Sequence, residues 1–134
     1  MTKHRAMRVA DVMEQDFAVI DGVTTVAEAL VVMQTRRAHF LIVAKRDEDD
    51  EFGIIMIRDI AEHVLARDRS PERTNVYEIM SKPVLSVRPE MNIRYCARLF
   101  HSFGISTAPV IQGEEIQGIV TYDALVLKGL AQQA

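Results

Sequence analysis

The chain has 134 residues, with 16 Lys and Arg against 19 Asp and Glu, and a formal net charge of −3. This charge argues against strong electrostatic binding to nucleic acid or anionic lipid, and the single cysteine excludes an internal disulfide framework. The apolar runs, such as 40–44 and 54–57, are far shorter than the roughly 20 residues that cross a bilayer, and the opening MTKHRAMR lacks the apolar stretch of a signal peptide. We therefore expect a cytoplasmic protein of one compact domain or two very small ones.

The first half of the chain predicts a strand, a helix, a hairpin and a second helix. A β-prone run at 17–20 precedes a helix whose apolar residues are spaced i, i+3, i+4 and i+7 from Val26. Thr25-x-x-Glu28 has the pattern of a capping box at the start of this helix. The later elements are hairpin strands at 40–44 and 52–57 and a helix at 60–67.

The second half predicts the same elements again. A short strand at 84–87 precedes a helix that begins after Asn92 as N-cap and ends at Gly104 as a left-handed C-cap. The later elements are hairpin strands at 108–111 and 116–121 and a helix at 124–130.

The two halves are copies of one pattern. Residues 9–13 (VADVM) return at 76–80 (VYEIM), and we interpret this as an internal duplication of 9–68 and 76–131 with a polar linker at 69–75. One copy alone would bury too little apolar surface for stability. We therefore predict that the two copies pack face to face about a pseudo-twofold axis.

This pattern resembles the CBS (cystathionine β-synthase) motif. The resemblance rests on the leading V-x-[DE]-[VI]-M, the helix, the hairpin and the Gly-Ile-[Ile/Val] turn into the last helix, all present twice. Two such motifs in tandem resemble a CBS pair, or Bateman module. The resemblance implies an α+β fold in which each motif is strand, helix, strand, strand, helix. It also implies clefts between the motifs that bind AMP, ADP, ATP or S-adenosylmethionine, no required cofactor, and a homodimer formed through the motif helices.

The ligand site implied by the resemblance centres on a Gly-h-h-[Ser/Thr]-x-x-Asp sequence at the end of the hairpin. Its hydroxyl faces phosphate or ribose, and its Asp binds the ribose hydroxyls. The first copy has Asp59 in place but Met56 at the hydroxyl position. The second copy has Thr121 in place, but Asp123 comes one residue early.

Other residues are assigned to the site by the same resemblance. Arg58 is the candidate for phosphate binding, and Arg37, with its neighbour Arg36, and His39 lie at the rim of the first site. The base slots are formed by Ala18 and Val19 in the first site and by Lys82, Pro83, Val84, Thr107 and Ala108 in the second.

Structural explanations of the same residues remain open. Asp59 and Asp123 are each placed to N-cap a helix, which alone explains an aspartate there. Arg58 also suits a solvated surface, and Thr121 is a common strand residue. Arg36 and Arg37 suit the negative end of a helix dipole.

Metal and catalytic motifs are not found in the sequence. The acidic loop 47–51 (DEDDE) lacks the ligand spacing of a calcium loop, so we expect it to be solvated. The histidines show no metal-ligand spacing with each other or with Cys96, which lies on an apolar helix stripe. Without a nucleophile elbow, Walker loop or dinucleotide fingerprint, the sequence predicts a protein that is not an enzyme.

Two functions remain. The first is a regulatory module that binds an adenosine-containing ligand. The second is a dimerisation or partner-binding scaffold whose nucleotide pockets have degenerated, which the incomplete motifs and the widely apolar last helix (124–130) favour. A further regulated protein is a possible partner in either case.

Overall fold

A computed structural model describes residues 6–82 and 84–133, which form two compact units. Unit 1 combines 6–17 with 85–133, and unit 2 comprises 18–84. Both mix helices and strands, which confirms the α+β class. No helix in the described ranges is long and apolar enough to cross a membrane.

In chain order the elements are α1 (Val9–Val12), β1 (Val19–Ile20), α2 (Val26–Arg36), β2 (Phe40–Val43), β3 (Gly53–Met56), α3 (Ile57–Ile60), a π-helical stretch (Ala61–Leu65), a 3-10 turn (Val76–Glu78), α4 (Ile93–Phe103), β4 (Thr107–Gln112), β5 (Glu115–Thr121), a second π-helical stretch (Ala124–Leu130) and α5 (Ala131–Gln133).

Unit 2 is built on a three-stranded sheet in the order β1-β2-β3. Strand β1 runs parallel to β2, and β3 runs antiparallel to it with Phe40 opposite Met56. Helix α2 begins with the predicted capping box, because Thr25 Oγ1 accepts from the Glu28 backbone N–H and Glu28 Oε1 accepts from the Thr25 backbone N–H. The apolar stripe of α2 packs in one core with the sheet and with the helical segment 57–65. The fully or nearly buried members of this core are Val26, Ala29, Met33, Leu41, Val43, Ile55, Ile60, Val64, Val76 and Ile79.

Unit 1 has the same arrangement, with a capped helix packed on the β4–β5 hairpin. Helix α4 begins at Asn92, whose side chain accepts from the Arg94 N–H at 2.8 Å, and ends at Gly104, which has the predicted left-handed conformation (φ 64°). Phe100 is fully buried and its ring meets that of Tyr122 edge-on at 5.3 Å. The other buried core residues are Val9, Val12, Val87, Ile93, Cys96, Ala108, Val110, Val120, Ala124 and Leu125.

The segments that open the two copies pack in exchanged units. Val9 and Val12 lie in the core of unit 1, with the strands of the second copy, while Val76 and Ile79 lie in the core of unit 2, with the strands of the first. The repeats 9–68 and 76–131 were predicted from sequence similarity, so they describe the duplication but do not coincide with the packing units.

A glycine in the second strand of each hairpin, Gly53 or Gly118, lets an opening segment pack closely against that strand. A Cβ on Gly118 would lie 2.7 Å from the Glu14 carbonyl oxygen, and a Cβ on Gly53 would lie 2.8 Å from Met80 Sδ. The backbones at these points are joined by antiparallel bridges, Glu14 with Ile119 and Ser81 with Ile54. The glycine of the Gly-h-h sequence is therefore explained by the close approach of the opening segment.

Three predicted elements differ in the structure. The strand predicted at 84–87 is reduced among the described residues to a single parallel bridge between Val87 and Val110, because Pro109 on the partner strand has no N–H to donate to residue 85 and Pro89 has none to extend the ladder beyond Val87. The first-copy strand is shorter than predicted, at Val19–Ile20. The last helix of the first copy begins at Ile57, before the predicted start at residue 60.

The stretch predicted as a linker, 69–75, is held by hydrogen bonds within unit 2. The Ala27 N–H donates to the Pro71 carbonyl at 3.0 Å, and the Val26 N–H donates to the Thr74 carbonyl at 2.8 Å. The Thr74 hydroxyl also donates to the Ser70 carbonyl, and Thr74 is almost fully buried. The segment that connects the copies therefore also supplies acceptors for the first turn of α2.

Candidate functional site

The last hairpin strand of each copy runs directly into a helix, and most of the predicted site residues cluster around these two junctions. In unit 1, Thr107 lies opposite Thr121, and the Tyr122 N–H donates to the Ser106 carbonyl at 3.1 Å. In unit 2, the Ile57 N–H donates to the His39 carbonyl at 3.0 Å. A helix start is thus fixed at the end of each hairpin, next to the residue that directly precedes the first hairpin strand.

Each junction contains one half of a capping box. Thr121 Oγ1 accepts from the Ala124 N–H at 3.1 Å, whereas in unit 2 Asp59 Oδ2 accepts from the Met56 N–H at 2.8 Å. The prediction that Asp59 is an N-cap is wrong in position, because Met56 is the N-cap and Asp59 lies at the third position of the helix, from where it accepts from the N-cap backbone N–H. The capping role left open for Asp123 is wrong, because Asp123 already has helical backbone angles, is exposed and makes no capping hydrogen bond.

Asp59 is the carboxylate best placed to meet a ligand. It is half-buried, and this burial raises the pKa of its carboxyl group, against the opposing effects of the Met56 N–H and of His63. In the part of the chain that the structure describes, Asp59 Oδ1 receives no hydrogen bond from the protein. A carboxylate oxygen in this position can accept from a pair of ribose hydroxyls.

Both arginines predicted for the first site are exposed. The Arg58 guanidinium pairs with Glu62, with Nε 2.9 Å from Oε1. Arg37 occupies the C-cap of α2 in a left-handed conformation (φ 54°), which is unusual for a residue other than glycine. Phosphate binding by Arg58 would require this exposed ion pair to open, which costs little.

The proposed base-slot residues of unit 2 lie on two edges of its sheet. Ala18 and Val19 flank β2, since the Ile42 N–H donates to the Ala18 carbonyl at 3.0 Å. Val84 flanks β3, since its N–H donates to the Phe52 carbonyl at 3.2 Å. Pro83 lies outside the described residues. Ala18 and Val19, which were assigned to the first site, therefore lie at a different edge from Val84, which was assigned to the second.

The base-slot residues of unit 1 are paired with the last strand. Ala108 is fully buried opposite Val120, so its side chain belongs to the core. Thr107 is half-buried opposite Thr121 and places a second hydroxyl-bearing residue at the junction. The second site as predicted draws residues from both units, and it stays a prediction.

Lys82 has a partner that the sequence did not predict. Its ammonium lies 2.6 Å from Asp50 Oδ1 and 2.7 Å from Oδ2, and the Asp50 side chain is only 7% exposed. Arg46 adds both its backbone N–H (2.8 Å) and its Nε (3.1 Å) to the same carboxylate. These donors, Lys82 first, hold the pKa of Asp50 well below its usual range. The expectation that loop 47–51 is solvated is therefore wrong for Asp50, and no local pattern could have indicated a partner so distant in sequence.

A concave surface of about 750 Å³ lies beside this ion pair, at the loop end of the β2–β3 hairpin. Its lining includes Gly22, Val43, Lys45, Arg46, Tyr77 and Lys82. This end of the hairpin is opposite the end that carries Met56 and Asp59. No three His, Cys, Asp or Glu side chains in the described ranges are grouped so that they could hold a metal ion.

Known proteins share this architecture. A CBS domain model matches residues 9–66 and 76–129. The chain is 37% identical to a hexameric CBS-CP12 protein from bloom-forming cyanobacteria, with a TM-score of 0.91 over 95% of this chain and 73% of that one. It is 29% identical over 120 residues to the uncharacterized protein MK0525 of Methanopyrus kandleri, a match that covers 87% of this chain and 60% of that protein.

A further structure supports the fold alone because its sequence identity is only 21%. It is the CBS domain pair of protein MJ0100 in complex with 5′-methylthioadenosine and S-adenosyl-L-methionine, with a TM-score of 0.81 over 97% of this chain and all of that one. Among the curated relatives, the chain spans 60% of the first and 41% of a 33.4 kDa protein of Thermofilum pendens. The match of the family model to most of the chain, in two ranges, shows that this protein belongs to the CBS domain family and contains two CBS motifs.

Proposed function

We propose that this chain is a regulatory module that binds an adenosine-containing ligand, of the class AMP, ADP, ATP or S-adenosylmethionine, at the strand–helix junctions of its CBS motifs. The observation that carries the proposal is the half-buried Asp59 with one oxygen engaged by the Met56 N–H and the other open to a ligand. The proposal assigns no catalysis to the chain.

The chemistry of the second junction supports the same ligand class. Thr107 and Thr121 face each other across β4 and β5 where the last helix begins, so two hydroxyl-bearing side chains and the positive end of a helix dipole share one place. Hydroxyls and backbone N–H groups suit ribose and phosphate oxygens. The related fold of MJ0100 holds 5′-methylthioadenosine and S-adenosyl-L-methionine, which are both adenosine derivatives.

A thermal-shift series tests the proposal. Because a ligand that binds only the folded state stabilises it by mass action, we expect at least one of AMP, ADP, ATP and S-adenosylmethionine at millimolar concentration to raise the melting temperature. Asp59→Asn keeps an oxygen for the Met56 N–H but loses the charge, so it should weaken binding by about tenfold. Glu51→Gln, an exposed carboxylate-to-amide change in the loop at the opposite end of the same hairpin, is the matched control and should bind as the wild type does.

Two results would contradict the proposal. One is a melting temperature that none of the four compounds changes. The other is a ligand that binds Asp59→Asn and wild type equally well, which would leave Asp59 with only its capping role.

The second candidate function is a self-associating scaffold, and the exposed face of the last helix favours it. Val126, Leu127 and Leu130 are 48%, 66% and 52% exposed, although all three are large and apolar. Beside them lies a groove of about 210 Å³ lined by Ile93, Ala97, Tyr122 and Leu125 of the same unit. Such a face suits a second apolar surface. The hexameric state of the CBS-CP12 protein supports self-association, and we propose a homodimer through these helices.

A further inference from the structure

A shallow groove with a volume of about 770 Å³ runs along the outer side of α4 in unit 1. Its apolar lining includes Met91 and Leu99, and its polar lining includes Arg8, Arg88, Asn92, Arg98 and Ser102. Tyr95 is 63% exposed at this surface. The groove is distinct from the strand–helix junctions, because those lie where β5 and β3 end.

The groove carries an excess of positive charge. Among the described residues that line it, Glu90 is the one with an acidic side chain, and that carboxylate pairs with Arg88, with Nε 2.9 Å from Oε1. The Arg8 Nη1 donates to the Glu90 carbonyl oxygen at 2.7 Å, and the Arg98 guanidinium lies 5.4 Å from the centre of the Tyr95 ring. These contacts hold two planar guanidinium groups at the surface without neutralising them with carboxylate.

The helix beneath the groove adds to this potential. The first turn of α4 contains no acidic residue and carries Arg94, whereas the first turn of α2 contains Glu28. Arg94 itself lies outside the groove lining, but no acidic side chain in this first turn offsets the positive end of the helix dipole, which favours an anionic partner. Arginine is the residue best suited to bind carboxylates through two parallel hydrogen bonds.

The same chain carries an anionic segment of matching chemistry. In loop 47–51 the side chains of Asp47, Glu48, Asp49 and Glu51 are exposed, while Asp50 is turned inward onto Lys82 and Arg46. The Asp49 N–H donates to Asp47 Oδ1 at 2.9 Å, and the Asp50 N–H donates to the Asp47 carbonyl at 3.2 Å. The loop is therefore a hydrogen-bonded turn with four exposed carboxylates, so its backbone loses little conformational entropy when it binds.

We propose that the acidic loop 47–51 of one copy docks into the arginine groove of a second copy of this chain. Loop and groove are different surfaces, so the contact is heterologous and links copies into rings or open chains. The inference deepens the self-association part of the proposed function by adding a salt-sensitive contact to the apolar one. It does not depend on adenosine binding.

Sedimentation velocity of the full chain at about 50 mM and about 500 mM NaCl tests this contact. We expect species larger than the dimer at low salt and their loss at high salt, because exposed charge pairs are screened within about 10 Å at 0.1 M. Arg8→Glu with Arg98→Glu, both in the groove lining, should abolish the larger species, and so should Glu48→Lys with Glu51→Lys, which leaves the Asp47 turn intact. The chain that carries all four reversals should form them again, since the charges are complementary once more.

Matched controls separate a specific contact from a change in net charge. Arg67→Glu with Arg73→Glu reverses two exposed arginines of unit 2 and should leave the larger species unchanged. The proposal is overturned if the wild type forms no larger species at low salt, if the four-reversal chain fails to recover them, or if the control pair abolishes them. It is also overturned if ATP raises the melting temperature of the wild type but not of Arg8→Glu with Arg98→Glu, because the groove would then hold a phosphate ligand. An unchanged ligand response in all variants would leave the adenosine proposal standing whichever way the assembly result falls.

Discussion

Thr121 and Asp59 stand at equivalent junctions, yet each supplies a different half of one capping arrangement. In unit 1 the hydroxyl at the N-cap accepts from the backbone, and Ala124 occupies the position of the acid. In unit 2 the acid accepts from the backbone, and Met56 occupies the position of the hydroxyl. The two departures from the family sequence are therefore complementary, and each helix start keeps one satisfied donor.

The Thr121 cap makes a direct stability prediction. Thr121→Ala removes the acceptor for the Ala124 N–H and should lower the free energy of unfolding by about 1 kcal/mol, measured by urea denaturation. Thr121→Ser keeps the hydroxyl and should fall close to the wild type. Equal losses in the two variants would mean that the methyl group and not the hydroxyl is responsible.

The half-buried Asp59 predicts a pH dependence. Burial raises its pKa above the ordinary value of 3.8, so the folded state binds this proton more tightly than the unfolded state. The resulting stabilisation is complete below the unfolded pKa and is lost as pH rises through the folded pKa. In urea titrations, we expect Asp59→Asn to gain stability relative to wild type as pH rises from about 3.5 to 6. A difference that does not change with pH would show that Asp59 has the same pKa in both states.

At the scale of elements, the last helix combines a buried face with an exposed apolar one. Ala124, Leu125 and Gly129 are buried, whereas Leu127 and Leu130 are among the exposed large apolar residues. We expect light scattering at high salt to give the mass of a dimer, and Leu127→Glu with Leu130→Glu to give a monomer of unchanged secondary structure. Leu65→Glu, on the last helix of the other copy, is an exposed apolar control. A wild type that is already monomeric would contradict the proposed interface.

Helices and hairpins could be predicted because their signals are local. The Thr25 capping box, the Asn92 cap and the left-handed Gly104 are each fixed by residues within one or two turns, and the structure confirms them. The strand at 84–87 could not be judged this way. Its pairing depends on a partner strand far away in sequence and on the missing N–H of Pro109 in that strand.

The same difference between local and distant signals decides which site residues could be predicted. Asp59 and Thr121 could be found because the Gly-h-h sequence and the helix start mark their positions. The Lys82–Asp50 pair could not, since it joins a loop to a segment that follows a whole helix and a linker. The buried side chain of Ala108 was also not distinguishable from a ligand-facing one, because both faces of a short strand are apolar here.

At the scale of the whole molecule, the exchange of opening segments is the main feature that sequence could not predict. Both copies carry the same apolar pattern, so Val9 and Val12 satisfy either core equally well in sequence terms. The structure places them in unit 1 and places Val76 in unit 2. The duplication is therefore read from the sequence, but the partner of each opening segment is decided by tertiary packing.

Amide hydrogen exchange can test which unit each opening segment packs in. Val12→Ala removes two buried methyl groups from unit 1 and should cost about 2 kcal/mol, with faster amide exchange in β4 and β5. Val76→Ala is the matched substitution in unit 2 and should speed exchange in β2 and β3 instead. If Val12→Ala loosened β2 and β3 while β4 and β5 stayed protected, each opening segment would belong with its own copy.

Hydrogen exchange with and without an adenosine ligand tests the central claim most directly. The wild-type chain is saturated with whichever of AMP, ADP, ATP or S-adenosylmethionine gives the largest thermal shift, and amide exchange is followed along the sequence. The account predicts slower exchange at the strand–helix junctions, 56–60 and 121–125, and weaker protection at 56–60 in Asp59→Asn at equal ligand concentration. Protection confined to the concave surface beside Lys82 and Tyr77, or no protection with any of the four compounds, would contradict it.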